Sequence, residues 1–486
     1  MRVVANYYRA ETEAAATMPM RIVIVGCGVA GATAAFQARK TDRAAEITIV
    51  GEEALPEYSR CGLPYAFSGE VQSFQALLGY DVEFYEKVNR VRLKLGWRAV
   101  RIDVVQKRLG LSRTRDGATE ELSYDSLILA TGASATKLPI EGANHTGVFA
   151  IRTMEGVEEL ANHLAETRAH KVAVIGAGLT GSEMAEALRQ RHIQVIQAEI
   201  VPEILPVILD PDMASLVRAR GQEHGVEYRL GSSVERILSA NGRVSGVIID
   251  GQDFKVDAVV MAVKVKPNTD LATDARLSLG EMGGIKTNDR METSHPGIYA
   301  VGDCAETYDR ITRRYVLFQL ATTAVRQALV AGANAAGGSS HYHGSTGVTT
   351  VKLFGLEVAS FGPTTALANR IGLQPLSVRI TGSTRLGYFP GGKDLTVKLM
   401  CDPRDGRVLG AQLVGEEGAT LRANFVSMAG HLGMSVQALE EVETCYSPPL
   451  APVWDPVTVA AQALIRRLDV KATRREPFPL KESSPN

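Results

Sequence analysis

Apolar positions run without alternation through Arg21-Ile22-Val23-Ile24-Val25, and such a β-branched run reads as a parallel strand buried on both faces. Glycines follow at once in Gly26-Cys27-Gly28-Val29-Ala30-Gly31. An Ala-rich stretch with helical character then extends through Lys40, and a second apolar strand, Ile47-Thr48-Ile49-Val50, ends near Glu52. The same order returns later: a strand at Lys171-Val172-Ala173-Val174-Ile175, glycines at Gly176-Ala177-Gly178-Leu179-Thr180-Gly181, a helix, and Gln194-Val195-Ile196-Gln197-Ala198-Glu199. Strand, glycine turn, helix, strand and acid occur twice in that order.

Each part of this unit has a physical task. Gly26 permits the tight turn, Gly28 lets backbone approach a pyrophosphate, and Gly31 lets the helix pack close on its strand. The helix N-terminus offers free N–H groups and the positive end of its dipole to the anion. An acid about 20 residues on accepts bonds from a ribose hydroxyl; Glu52 suits this better than Glu53 because it comes sooner after the strand. A lone glycine fingerprint is a weak signal, but two complete units predict two bound dinucleotides. In the second unit Glu199 pairs with a free 2′-hydroxyl and repels a 2′-phosphate, which predicts NADH over NADPH.

Composition narrows the picture further. A chain of 486 residues suggests about three domains. A formal charge of −1 gives no global pull toward nucleic acid or an anionic membrane, and the pair Arg313 and Arg314 reads as a solvated surface feature. No apolar run approaches the ~18–20 residues of a membrane span. The charged stretch Met1 to Met20 does not read as a secretory signal; it is either an extension, or Met18 or Met20 is the true start. Five cysteines (Cys27, Cys61, Cys304, Cys401, Cys445) show no metal-ligand spacing and predict no metal site. Their odd number predicts reduced thiols in a cytoplasmic protein.

With these motifs in order, the chain resembles the pyridine nucleotide-disulfide oxidoreductases. Leu127-Ile128-Leu129-Ala130-Thr131-Gly132-Ala133 resembles that family's ATG segment, and Thr293 to Ala305 resembles its second flavin motif. The resemblance covers roughly Arg21 to Val470. It implies an α/β fold with two Rossmann-like dinucleotide-binding domains, for FAD and NAD, plus a C-terminal α+β dimerisation domain. The implied boundaries are 20–150 with 277–345 for FAD, 151–276 for NAD and 346–470 for dimerisation, with flexible termini at 1–19 and 471–486. It implies FAD contacts from Arg60, Thr131, Gly132 and Asp303, the last at the ribityl chain, and a homodimer.

The stretch Tyr58-Ser59-Arg60-Cys61-Gly62-Leu63-Pro64-Tyr65 carries the expected chemistry. Relatives similar to glutathione reductase hold two cysteines here, spaced CxxxxC, whereas position 66 is Ala. The chain therefore resembles the single-cysteine branch: coenzyme A-disulfide reductases, persulfide reductases and NADH oxidases or peroxidases. One sulfur can cycle two electrons as a mixed disulfide, persulfide or sulfenic acid. A helix expected from Cys61 toward Ser68 puts the sulfur at its positive end, so the thiol pKa is expected to be lowered.

The acceptor is read from three features. Peroxide- and oxygen-reducing relatives carry a His in the first glycine turn, where this chain has Val29, a residue unable to donate a proton. Cys445-Tyr446-Ser447-Pro448-Pro449 and Leu386-Gly387-Tyr388-Phe389-Pro390-Gly391 resemble segments of coenzyme A-disulfide reductases whose tyrosines reach the partner's cysteine. That resemblance gives Tyr446, and less directly Tyr388, a proton-donating role. Gln37, Arg39 and Lys40 lie where relatives hold the nucleotide end of coenzyme A, and Ser59 falls on the substrate side; a solvated helix end explains the first three equally well. Cys27, Cys304 and Cys401 read as packing cysteines, and Cys445 has a resolving-thiol role as a second reading.

Lys264, where relatives carry glycine, and Trp454, where they carry smaller residues, depart from the pattern. The leading expectation is a homodimeric, NADH-dependent flavoenzyme reducing a small-molecule disulfide or persulfide of coenzyme A type. An NADH oxidase using oxygen, and an electron-transfer subunit with a redox partner protein, are the alternatives.

Overall fold

The structure, a computed structural model, describes residues 18–475. The expected flexible ends fall mostly outside that span. The exceptions are 18–19 and 471–475, and the latter continue a helix from Pro456 to Arg475 instead of starting a flexible tail. Helix propagation adds one hydrogen bond per residue, and it carries this helix to within two residues of Pro477.

The first parallel sheet is centred on strand β1 (Arg21–Val25), followed by helix α1 (Val29–Thr41) and strand β2 (Glu46–Gly51). β1 pairs in parallel with β2 and with Ser126–Leu129, so Val25 stands between Val50 and Leu129. Val91–Leu95 and Ile298–Ala300 form the edges. The latter edge arrives from the far side of a second sheet in sequence, so the first sheet is closed only after the second is complete. The alanines of the predicted helix have a packing reason. Ala30, Ala34, Ala35 and Ala38 are buried against Ala324, Ala328 and Ala331 of helix α4 (Ala321–Ala335). At Gly332 of that helix an added Cβ would overlap the Ala34 carbonyl, so the two helices meet almost backbone to backbone.

The second sheet repeats the plan. Strand β3 (Lys171–Ile175), helix α3 (Leu179–Gln190) and strand β4 (Gln194–Glu199) form its centre. Val226–Leu230, Ala258–Met261 and Val148–Ala150 complete five parallel strands. A strand buried on both faces needs a near-continuous apolar run, which is what 172–175 and 258–261 provide.

A third unit follows from Thr349. Its five antiparallel strands are covered by helix α5 (Ala419–Leu432) and by the helix from Pro456. A buried polar bolt ties it to the second unit. Asp210 accepts from the Thr365 amide at 2.8 Å and its hydroxyl at 2.6 Å, and Lys398 Nζ lies 2.9 Å from Asp210 and 2.7 Å from Asp212. No described helix is long and apolar enough to cross a membrane.

Candidate active site

The two glycine turns are built alike. Gly26 (φ +113°) and Gly176 (φ +103°) occupy backbone regions that favour glycine. Gly31 and Gly181 sit where an added Cβ would overlap the carbonyls of Gly26 and Gly176. Gly28 and Gly178 precede α1 and α3 in extended conformation, and no side chain caps either helix. A Cβ on either would meet nothing within 4 Å, so both turns face open space with uncapped N–H groups. That arrangement fits a pyrophosphate at each turn.

The acids that follow β2 and β4 differ. Glu199 is held rigidly, its carboxylate accepting from Ala177 N at 2.8 Å and Val201 N at 3.2 Å. The bonds Gly26 N to Val50 O and Gly176 N to Ala198 O, both 2.8 Å, align the two units residue by residue. By that alignment the place of Glu199 is held in the first unit by Gly51, not Glu52. A Cβ at Gly51 would lie 3.0 Å from the Cys27 Cβ, so Cys27 fills the space where Ala177 leaves room for a carboxylate. Glu52, one residue further on, is exposed and ion-paired with Arg98. Glu53 turns inward instead, to Arg60 and to the Tyr58 hydroxyl, 2.7 Å away.

From Glu53 a chain of polar contacts crosses the site. Arg60 stacks over Tyr58 and donates to the Arg152 carbonyl at 3.1 Å; the Met154 amide donates to the Tyr58 hydroxyl at 3.0 Å. Arg152 in turn donates to the Ala133 carbonyl at 3.1 Å and pairs with Asp303. Thr131 and Gly132 close the adjacent wall: Thr131 Oγ1 donates to the Asn268 carbonyl at 2.7 Å, and the Asn268 amide donates to the Gly132 carbonyl at 2.9 Å.

Cys61 lies beside this network as an exposed, unbridged thiol. It sits on a 3-10 turn, Arg60–Gly62, and the α-helix α2 begins only at Leu63 and ends at Ser68. Pro64 belongs to the first helical turn, where its missing N–H costs nothing. The expected helix start at Cys61 is thus corrected by two residues. The expected lowering of its pKa is also reversed. Surrounding protein and the Glu183 carboxylate push the thiol up, Asp303 adds to the rise, and Arg152 opposes it. Glu183, on α3, is itself pushed up to about 7, by burial and then by Glu186. Tyr65 shares a hydrogen bond with Glu183, and burial pushes its phenol up to about 12.

The remaining predicted residues are distributed unevenly. Arg39 is saturated by the carbonyls of Asn89, Asp42, Arg43 and Arg90, which anchors the end of α1 and removes its guanidinium from a ligand role. Gln37 bonds weakly to Thr41 at 3.4 Å, and Lys40 and Ser59 are exposed. Tyr388 and Tyr446 are brought together by a hydrogen bond between their side chains, and both are exposed, at 73% and 51%. Cys445 and Trp454 share that exposed region of the chain, while Cys304 and Cys401 are buried. Burial pushes the Cys27 thiol up to about 12, which keeps it a neutral packing group. Among the described residues no cluster could hold a metal ion. Arg152, Glu183 and Tyr65 are not singled out by the sequence, and Glu53 is passed over there for Glu52; Glu183 stands only two residues past the last turn glycine, and that spacing is the available signal.

Comparison with known proteins agrees with this geometry. Residues 20–328 match the model of the family described as pyridine nucleotide-disulphide oxidoreductase, and residues 348–456 match that family's dimerisation domain. The chain is 36% identical over 452 residues to an NADH oxidase of Methanocaldococcus jannaschii, covering 93% of this chain and 100% of that protein. It is 32% identical to a CoA-dependent NAD(P)H sulfur oxidoreductase of Pyrococcus abyssi, covering 91% and 98% respectively. A solved NAD-dependent persulfide reductase from A. fulgidus superposes with a TM-score of 0.90 at 34% identity, over 93% of this chain and 84% of that one.

Proposed function

The chain belongs to the pyridine nucleotide-disulphide oxidoreductase family and is an FAD-dependent NAD(P)H oxidoreductase, and from that premise we propose that it reduces a disulfide or persulfide of coenzyme A type at Cys61. The observation that carries this reading is the lone, exposed Cys61 thiol beside the Arg152–Asp303 pair, with Ala66 where a second cysteine would be needed for an internal disulfide. We assign FAD to the turn before α1 and the nicotinamide dinucleotide to the turn before α3. Bound FAD supplies two-electron transfer between nicotinamide and sulfur. The protein's part is to hold the adduct sulfur at Cys61, to set the local charge through Arg152 and Glu183, and to protonate the departing thiolate. Tyr446 of a second copy, supported by its bond to Tyr388, is assigned that last task.

The fixed Glu199 carboxylate, with no basic residue in the Ile200-Val201-Pro202 stretch after it, supports NADH as the preferred donor. Homodimerisation is supported by the dimerisation-domain match and by the exposed apolar side chains of α5. The name of the M. jannaschii relative favours one second reading, oxygen as acceptor; Val29 beside the first turn counts against it.

The test is Cys61→Ser, with NADH oxidation, thiol release and oxygen uptake followed together in the presence of coenzyme A disulfide. The proposal expects NADH-dependent thiol release in the wild type and its loss, by about 10²-fold or more, in the variant. Thiol release that survives the substitution contradicts it, and oxygen uptake matching NADH consumption in the wild type favours the oxidase reading.

A further inference from the structure

Lys264, which departs from the family pattern, is placed by the fold at the second glycine turn. Strand 258–261 runs parallel to β3 with Met261 beside Ile175, and the Ala262 amide donates to the Ile175 carbonyl at 2.8 Å. The chain then presses on the turn itself. A Cβ added at Gly176 would overlap the Ala262 carbonyl oxygen and lie 3.4 Å from Val263 Cα, and one added at Gly181 would lie 3.3 Å from Ala262 Cβ. Successive Cα atoms are about 3.8 Å apart, so Lys264 Cα stands within about 7 Å of the position a Gly176 Cβ would take. Beyond the turn, the Lys264 carbonyl accepts from Thr136 N at 3.2 Å, and Val265 pairs with Ala135. Lys264 therefore bridges the second turn and the segment 131–136, which forms the wall of the first site.

The two sides of this turn carry opposite charge. β4 flanks β3 on one side and strand 258–261 flanks it on the other. β4 ends at the fixed Glu199 carboxylate, whereas the opposite strand leads to the Lys264 ammonium. Lys264 is exposed and has no acidic partner among the described residues. Neighbouring cations are committed elsewhere. Lys266 lies 3.9 Å from Asp270, and Arg189 and Arg191, at the far end of α3, donate to the carbonyls of His224, Ile193 and Phe67.

We propose that Lys264 binds the pyrophosphate of the nicotinamide dinucleotide from its nicotinamide side, as the cationic counterpart of Glu199 at the adenosine ribose. The inference rests on the assignment of that dinucleotide to the turn before α3. The N-terminus of α3 offers free N–H groups but only the partial charge of its dipole, which leaves much of the pyrophosphate charge uncompensated. An ammonium on a flexible stem adds a full point charge there. With the adenosine end fixed at Glu199, the nicotinamide end has to leave the turn on the opposite side, toward segment 131–136, and that route passes Lys264. NADH and NADPH carry the same pyrophosphate, so Lys264 raises affinity for both and leaves the choice between them to Glu199.

The experiment is isothermal titration of the FAD-loaded full chain with NAD⁺, ADP-ribose and 5′-AMP, the last by displacement of ADP-ribose, in wild type, Lys264→Met and Lys264→Arg. ADP-ribose carries the whole pyrophosphate, and 5′-AMP only the adenosine-side phosphate. Lys264→Met is expected to bind NAD⁺ and ADP-ribose about 5-fold more weakly at low salt, the upper end for an exposed ion pair, with 5′-AMP unchanged. Its affinity for ADP-ribose should also fall less steeply with added salt than that of the wild type. Lys264→Arg, which keeps the charge, should bind all three ligands as the wild type does. Equal affinity of wild type and Lys264→Met for ADP-ribose overturns the proposal and leaves Lys264 a solvated surface charge. Equal weakening of all three ligands also overturns it, because that pattern marks a distorted turn and not a lost charge. A wild type that binds no ADP-ribose removes the dinucleotide assignment itself; the redox role of Cys61 enters none of these readings.

Discussion

Glu199 shows how far one side chain's meaning depends on its anchors. Two backbone N–H groups fix its carboxylate at the end of β4, so it is placed before any ligand arrives. A fixed carboxylate accepts from a ribose 2′-hydroxyl and repels a 2′-phosphate. Glu199→Ala is therefore expected to lower kcat/KM for NADH by about 10-fold while leaving NADPH unchanged or improved, because a charge-assisted hydrogen bond contributes roughly 1.5–3 kcal/mol. Steady-state kinetics with both donors checks this, and an undiminished preference for NADH contradicts it. At this scale the sequence is legible where partners are close in the chain, as Glu199 is to its turn. It is not legible where they are distant. Arg152 and Glu183 act on Cys61 from 91 and 122 residues away, and the thiol is perturbed first by burial and then by these distant charges, not by its local helix. Glu52 illustrates a third limit. Counting residues from the turn selects it, but Glu52 stands just past the end of β2, exposed, and there it meets Arg98.

The elements themselves were readable because each strand–turn–helix unit obeys local rules. β1 and β3 are apolar runs, and the first and last glycines of the turns after them are required, Gly26 and Gly176 by positive φ and Gly31 and Gly181 by the lack of room for a Cβ. The price of that close fit is intolerance. Gly31→Ala would force a methyl group against the Gly26 carbonyl, separating α1 from β1 and opening the first turn. Overpacking of this kind costs about 1–3 kcal/mol or more. The variant is expected to bind FAD more weakly and to melt several degrees lower, measured by flavin fluorescence and calorimetry; unchanged retention of FAD contradicts the role given to that turn. By contrast, the bounds of α2 depended on a 3-10 turn that periodicity does not distinguish from an α-helix start. The continuation of the last helix to Arg475 likewise has no apolar pattern to announce it.

For the whole molecule, the order of the sheets was recoverable from motif order, because the flavin-motif strand Ile298–Ala300 returns to pair beside Ser126–Leu129. The packing between units was not. The Asp210–Lys398 bolt joins residues 188 apart in a setting where the sequence offers only scattered charges. Large apolar side chains left exposed at Leu421, Met428 and Leu432 of α5, together with Tyr446 and Leu450, mark the face that a second copy would cover. Leu421→Glu with Met428→Glu is expected to yield monomers in sedimentation analysis and to lower disulfide reduction, since Tyr446 would no longer meet a partner's site. A dimer that persists, or a fully active monomer, contradicts the cross-subunit role of Tyr446. The most direct measurement of the central claim is anaerobic titration with NADH, followed by flavin absorbance, of enzyme first oxidised with coenzyme A disulfide and desalted. If Cys61 stores two electrons, the wild type consumes one more NADH equivalent per flavin than Cys61→Ser before the flavin bleaches; equal consumption by the two proteins would contradict it.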